Sequence, residues 1–185
     1  QENKKLEASI SNISDSIGLL ALQGPAAIKI LKELTDADLD AIGNYHFIAD
    51  QKVAGIPHVL ISRTGYTGED GFELYLAGEQ TALLWEKLLA VGEAYGVLPC
   101  GLGSRDTLRL EAGMPLYGHE LSEEITPLAA GLGFAVKTKK ASDFIGKASL
   151  TAIREDGPKE KIVGFEAIER GIPREGYKVF SSDGA

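Results

Sequence analysis

The sequence predicts a globular chain that mixes short strands with amphipathic helices and carries an antiparallel hairpin near its middle. Three observations carry that expectation. Val59-Leu60-Ile61 and Phe72-Glu73-Leu74-Tyr75-Leu76 are β-favouring stretches on either side of a glycine-rich loop, the pattern of a hairpin with a wide turn. From Glu79 to Tyr95 the apolar residues Leu84, Leu88, Val91 and Tyr95 follow helical spacing, and Gly96 supplies the stop. The 185 residues are 44% hydrophobic and 25% charged, so the chain can bury a core without disulfides or metals to staple it.

The remaining elements follow in order. Ser14-Asp15-Ser16 leads into Ile17-Gly18-Leu19-Leu20-Ala21-Leu22, an apolar run of strand length that ends at Gly24-Pro25. Pro25 suits the first turn of a helix, and Ile28, Leu31 and Leu34 extend that helix over residues 25–35. A shorter helix is predicted over 103–112, closed by Gly113 and Pro115, with Arg105 and Arg109 on one face. Its leucines, Leu108 and Leu110, lie on nearly opposite sides, which predicts packing on two sides. Residues 131–137 read as a strand, and Ser149 to Arg154 as the end of a helix. The polar stretch Glu155-Asp156-Gly157-Pro158-Lys159 then places a domain boundary near 158, dividing the chain into 1–158 and 159–185. Tyr177-Lys178-Val179-Phe180 reads as another strand, and Ser181-Ser182-Asp183-Gly184 as hairpin-turn chemistry with only Ala185 after it. Together with Gln1 in place of Met, this is read as a fragment of a longer protein.

Charge and missing motifs exclude several classes of function. Nineteen Lys and Arg against 27 Asp and Glu leave a net charge of −8, which repels a phosphate backbone or an anionic leaflet. Neither nucleic acid nor a membrane is an expected partner, and no apolar run approaches the roughly 18 residues of a membrane span. The single cysteine, Cys100, has no partner for an internal disulfide, so a reducing compartment is expected. No metal site is legible: His46, His58 and His119 are far apart, and His119-Glu120 is not followed by a second histidine at the zinc-protease spacing. Gly101-Leu102-Gly103 lacks the third glycine of a dinucleotide fingerprint, and Gly146-Lys147 lacks the flanks of a phosphate loop. No serine stands in a nucleophile elbow, and Cys100 has no adjacent base, so covalent catalysis has no candidate.

Two stretches exceed what packing alone requires. Gly65-Tyr66-Thr67-Gly68-Glu69-Asp70-Gly71 sets three glycines and an aromatic in one loop, which permits close backbone approach to a ligand or simply a long turn. Beyond it, strand alternation puts Phe72, Leu74 and Leu76 on one face and Glu73 with Tyr75 on the other. Glu73 is then either a solvated carboxylate or a pocket acid. Arg105 and Arg109, four apart on a helix with Asp106 between them, form a cationic patch in an acidic chain. Each is read as paired with a carboxylate or with an anionic ligand.

Leu20-Ala21-Leu22-Gln23-Gly24-Pro25, then Arg63-Thr64-Gly65-Tyr66-Thr67-Gly68-Glu69-Asp70-Gly71-Phe72-Glu73, then Gly101 through Gly113 resemble, in order and spacing, the aminomethyltransferase (T-protein) family of the glycine cleavage system. Thr126-Pro127-Leu128, Gly131-Leu132-Gly133, Phe144-Ile145-Gly146-Lys147 and Val163-Gly164-Phe165 with Ile172-Pro173-Arg174-Glu175-Gly176-Tyr177 extend the likeness over nearly the whole chain. The resemblance implies an α+β fold of antiparallel sheets with packed helices, followed by the start of a C-terminal β-barrel domain. It implies transfer of a one-carbon unit from the aminomethyl-lipoyl arm of H-protein to tetrahydrofolate, giving 5,10-methylenetetrahydrofolate and ammonia. Tetrahydrofolate would be the co-substrate and lipoylated H-protein the partner, in a bacterial cytoplasm or a mitochondrial matrix. By the same resemblance Glu73 contacts the N–H edge of the pterin, Arg105 contacts folate and Tyr66 packs on its ring system, with Arg63 and Arg109 in support.

The sequence departs from the family in one respect. The family's catalytic aspartate belongs to an Asn-containing segment upstream, and none of Glu2, Glu7 or Asp15 stands in a matching motif. A further family arginine falls past Ala185, so the 185-residue chain alone is expected to be inactive. Folate-binding domains of dimethylglycine and sarcosine dehydrogenases share single pieces of the pattern and are the alternative reading; a folate-binding accessory protein without transfer chemistry is another, although such proteins usually carry a cysteine-containing glycine motif where this chain has Thr64-Gly65-Tyr66-Thr67.

Overall fold

The computed structural model describes residues 9–172 and 176–181. Glu2, Glu7, Pro173-Arg174-Glu175 and the predicted turn from Ser182 to Gly184 lie outside them. The chain divides into two compact units, residues 1–114 and 115–185.

The first unit holds β1 (Ile17–Gln23), α1 (Ala27–Lys32), β2 (Phe47–Val53), β3 (Ile56–Ser62), β4 (Gly71–Ala77), α2 (Thr81–Gly92) and α3 (Leu102–Glu111). Its four strands form one sheet in the order β1-β4-β3-β2, every neighbouring pair antiparallel. The predicted hairpin is present as β3 and β4, with Ile61 opposite Leu74 and Ser62 opposite Glu73. Strand alternation separates the two faces as expected. Phe72, Leu74 and Leu76 are buried, together with Leu22, Val59 and Ile61 from the flanking strands. Ala27, Ile30 and Leu31 of α1 and Leu84 and Leu88 of α2 join that core, with Leu39, Ile42, Val53 and Ile56 beside them. The opposite face carries Glu73 and Tyr75 in its central region, flanked by Ala21 and Leu19 on β1 and by Ser62 and Leu60 on β3.

Helix α2 starts and stops as predicted, with Gly96 in the left-handed conformation just after a closing turn at Glu93–Tyr95. Helix α1 is shorter than the expected 25–35, because Glu33 and Leu34 turn back to the carbonyls of Ile30 and Leu31 and tighten the last turn. Strand β2 was not anticipated. Asp50 has a positive φ and the register to β3 shifts twice, so the apolar alternation that marks a strand is broken. Ala54 and Gly55, both at positive φ, join β2 to β3 in a two-residue turn.

Helix α3 forms close to its predicted span, but the expected packing on two sides is not found. Leu108 and Leu110 are 37% and 58% exposed, and the side chain α3 buries is Arg109, at 2%. Its own pairing, described below, permits that burial.

In the second unit α4 (Lys147–Asp156) contains the helix expected around Ser149 to Arg154. Residues 131–137 are turns rather than a strand. Local bonds such as Leu132 N–H to Pro127 O and Ala135 N–H to Leu132 O take their backbone groups, and the Arg154 guanidinium donates to the carbonyls of Gly133 and Val136 at 2.9 and 2.8 Å. Tyr177–Phe180 likewise has no ladder partner among the described residues and is not a strand. The opening strands of a β-barrel after residue 158 are therefore not formed among the described residues.

Gly18 of β1 leaves space that Thr81, at the start of α2, fills. A Cβ placed on Gly18 would lie 1.8 Å from Thr81 Oγ1, a buried hydroxyl without a hydrogen-bond partner among the described residues. Gly18→Ala is expected to destabilise the fold by about 1–3 kcal/mol in urea unfolding. Combining it with Thr81→Ala, which removes the obstructing hydroxyl and its orphaned polar atom, should recover most of that loss.

Candidate functional site

The site grows from the loop between β3 and β4. Arg63 opens it and Asp70 closes it, and the two side chains meet fork to fork: Nε donates to Oδ1 at 2.9 Å and Nη2 to Oδ2 at 2.8 Å. The remaining terminal nitrogen of Arg63, Nη1, donates to Ile42 O at 3.0 Å, and the guanidinium lies 5.7 Å from the Phe72 ring centroid. Pairing with Arg63 holds the Asp70 carboxyl below the ordinary carboxylate range, and Asp70 in turn raises Arg63.

Gln23, the last residue of β1, reaches into the base of this loop. Its Nε2 donates to Thr64 O at 3.1 Å and to Phe72 O at 3.2 Å, so one amide ties the outgoing and returning strands together. Gly65 and Gly71 leave the room it needs, since a Cβ on either would come within 1.9 or 2.5 Å of Gln23 Oε1. At the tip Gly68 has φ +81°, and a Cβ there would stand 2.7 Å from Ala112 Cβ, just past the end of α3. The same helix sends Arg105 over the Tyr66 ring, with its guanidinium carbon 4.7 Å from the centroid.

Glu73 sits on the exposed face of β4. Its Oε2 accepts a hydrogen bond from Thr64 Oγ1 at 2.5 Å and a longer one from the Tyr75 hydroxyl at 3.3 Å. Thr64 Oγ1 is also 2.9 Å from Ser62 Oγ. With one proton to donate, Thr64 gives it to the carboxylate and accepts from Ser62. Burial, and then the charge of Glu73, push the Tyr75 phenol above its ordinary value, so it remains a protonated donor at neutral pH.

The five residues singled out in the sequence thus occupy one compact unit but not one cluster. Tyr66 and Arg105 form a stacked pair, Glu73 belongs to the hydroxyl group on the sheet face, and Arg63 anchors the loop. Arg109 is internal to α3: its guanidinium donates to Asp106 Oδ1 at 2.8 and 2.7 Å and to Met114 O at 3.3 Å. A hollow of about 410 Å³ opens beside the loop, lined among others by Tyr45, Arg63, Thr64, Gly65, Asp70 and Met114. Glu73, Tyr66 and Arg105 are not among its walls, whereas Thr64 is shared between the hollow and the Glu73 group.

Sequence reasoning missed Gln23, Ser62 and Thr64 as parts of the site. A signal for the hydroxyls existed: Ser62 and Thr64 are two apart at the end of one hairpin arm, so alternation places both on the face that Glu73 occupies on the other. Nothing local marks Gln23, because its partners are more than 40 residues away. Among the described residues no group of three His, Cys, Asp or Glu side chains lies close enough to hold a metal ion. No helix among them is long and apolar enough to cross a membrane.

The fold is similar to that of a solved structure. The crystal structure of the glycine cleavage system aminomethyltransferase T from Bartonella henselae matches 77% of this chain and 37% of its own, with a TM-score of 0.65 and 36% identity. The chain belongs to the family described as the GCVT N-terminal domain, which matches residues 1–140. Curated proteins named aminomethyltransferase are similar over almost the full chain: 54% identity across 182 residues for that of Bacillus subtilis (strain 168), and 57% across 180 residues for that of Thermoanaerobacter sp. (strain X514). These matches take in 50% and 48% of those proteins, so the chain spans about half the length of the curated relatives it matches.

Two expectations follow from the loop. Asp70 has a lowered native pKa, so its pairing contributes stability above the unfolded value of about 3.9 and loses it as pH falls through the native value. Asp70→Asn should therefore cost about 1 kcal/mol at neutral pH, and the difference from the parent should shrink in urea titrations as pH falls below about 3.9 and through the lowered native value. Gln23→Leu, which leaves the Thr64 and Phe72 carbonyls without their donor, should cost about 1–3 kcal/mol in the same assay.

Proposed function

We propose that the protein containing this chain is an aminomethyltransferase of the glycine cleavage system. It accepts the one-carbon unit of aminomethyl-lipoyl H-protein and delivers it to tetrahydrofolate, forming 5,10-methylenetetrahydrofolate and releasing ammonia. Membership in the family and the identity to proteins named aminomethyltransferase support the reaction. The observation that carries the binding role is Glu73, a carboxylate held by hydroxyl donors at Oε2 on the exposed sheet face.

In this reading Glu73 accepts the adjacent N–H donors of the pterin edge, a task suited to an acceptor-only carboxylate. Tyr66 and Arg105 supply a flat aromatic and cationic surface for the ring system or its anionic tail. Arg63 acts in support by pinning the glycine loop through Asp70, and Arg109 by holding the end of α3. Glu73, Tyr66 and Arg105 bind and orient, and none of them is given the proton transfer. Residues 1–158 form the folate-binding portion in this proposal and 159–185 begin the following domain. A bacterial cytoplasm suits it, since the relatives are bacterial and Cys100 is unpaired.

Calorimetric titration of the whole protein with tetrahydrofolate tests the reading. Glu73→Gln should weaken binding about 10- to 100-fold, the range for losing hydrogen bonds to a charged acceptor. Unchanged affinity would remove Glu73 from the site.

A further inference from the structure

The geometry points to Thr64 as a positioning residue for Glu73, acting through its hydroxyl, with Gln23 holding Thr64 in place. This inference rests on the folate-binding role proposed for Glu73. A glutamate on an open sheet face has several rotamers and a freely turning carboxylate, so a ligand that needs one orientation must first restrict it. Here both hydrogen bonds to the carboxylate fall on the same oxygen, from Thr64 at 2.5 Å and Tyr75 at 3.3 Å. The other, Oε1, accepts none among the described residues and keeps its lone pairs for a ligand.

The shorter of these two bonds comes from a side chain that is itself restrained. Thr64 is β-branched, which limits its χ1 rotamers. Its carbonyl accepts from Gln23 Nε2, and its hydroxyl lies within reach of Ser62, directly across the ladder from Glu73. Gln23 fits because Gly65 and Gly71 present no Cβ. Restraint thus passes from two glycines to an amide, from the amide to a threonine, and from the threonine hydroxyl to one carboxylate oxygen. Tyr75 adds a longer and weaker contact.

The test uses the whole protein with Thr64→Val, which keeps shape and branching but loses the hydroxyl, and Thr64→Ser, which keeps the hydroxyl. The Glu73 side-chain carboxyl resonance, assigned in carbon-13 NMR by its absence from Glu73→Gln, should move in Thr64→Val and stay near its parent position in Thr64→Ser. Tetrahydrofolate affinity should fall about 5- to 20-fold in Thr64→Val and less than about 3-fold in Thr64→Ser. In a Glu73→Gln background Thr64→Val should change affinity less than about 2-fold, because the two residues act as one unit. An unmoved carboxyl resonance in Thr64→Val would overturn the inference, and so would effects that simply add. If the resonance moves while Glu73→Gln binds tetrahydrofolate as well as the parent, the hold of the hydroxyl on the carboxylate stands and the folate reading falls.

Discussion

One amide group joins the parts on which the candidate site depends. Gln23 Nε2 donates to carbonyls on both sides of the β3–β4 loop, so the loop leaves and re-enters the sheet at a fixed separation. Arg63 and Asp70 close it a second time from the opposite ends, with two parallel charge-assisted bonds. Between these fastenings the glycines allow a path that side chains would block. A long loop restrained at its base loses little further entropy when something binds to it, which is how a hairpin turn becomes a recognition element.

The sheet beneath has one packed apolar face and one face that carries the polar group around Glu73. The core face packs Phe72, Leu74 and Ile61 beneath α1 and α2, and that burial holds the strands in register. Register in turn decides which side chains meet on the other face. Because Ser62 pairs with Glu73, the hydroxyls ending β3 arrive beside the carboxylate, and a slip of one residue would send them into the core. Apolar packing on one side therefore sets the polar geometry on the other, without contributing an atom to it.

Much of this architecture was legible in the sequence. The hairpin, the two faces of β4 and helix α2 follow from periods of two and 3.6, and the glycine loop from composition. Strand β2 escaped because left-handed Asp50 and two register shifts against β3 interrupt its alternation. Residues 131–137 have the composition of a strand, yet turn bonds and Arg154 satisfy their backbone in place of a ladder. The expectation that α3 would pack on two leucine faces failed because a paired arginine, not a leucine, is its buried side chain. Alternation places Glu73 on the face away from the core, whereas nothing local marks Gln23, since its partners are near only in the fold.

The irregular β2 has a consequence for the molecule's company in solution. It lies at one edge of the sheet formed by the described residues, the kind of margin where amide and carbonyl groups can invite another chain to add a strand. Left-handed Asp50 and Ala54, two register shifts against β3 and the exposed Asp50–His58 pair twist that margin and place charge along it. An added strand would meet a bent and charged border instead of a straight template, which disfavours pairing along that edge.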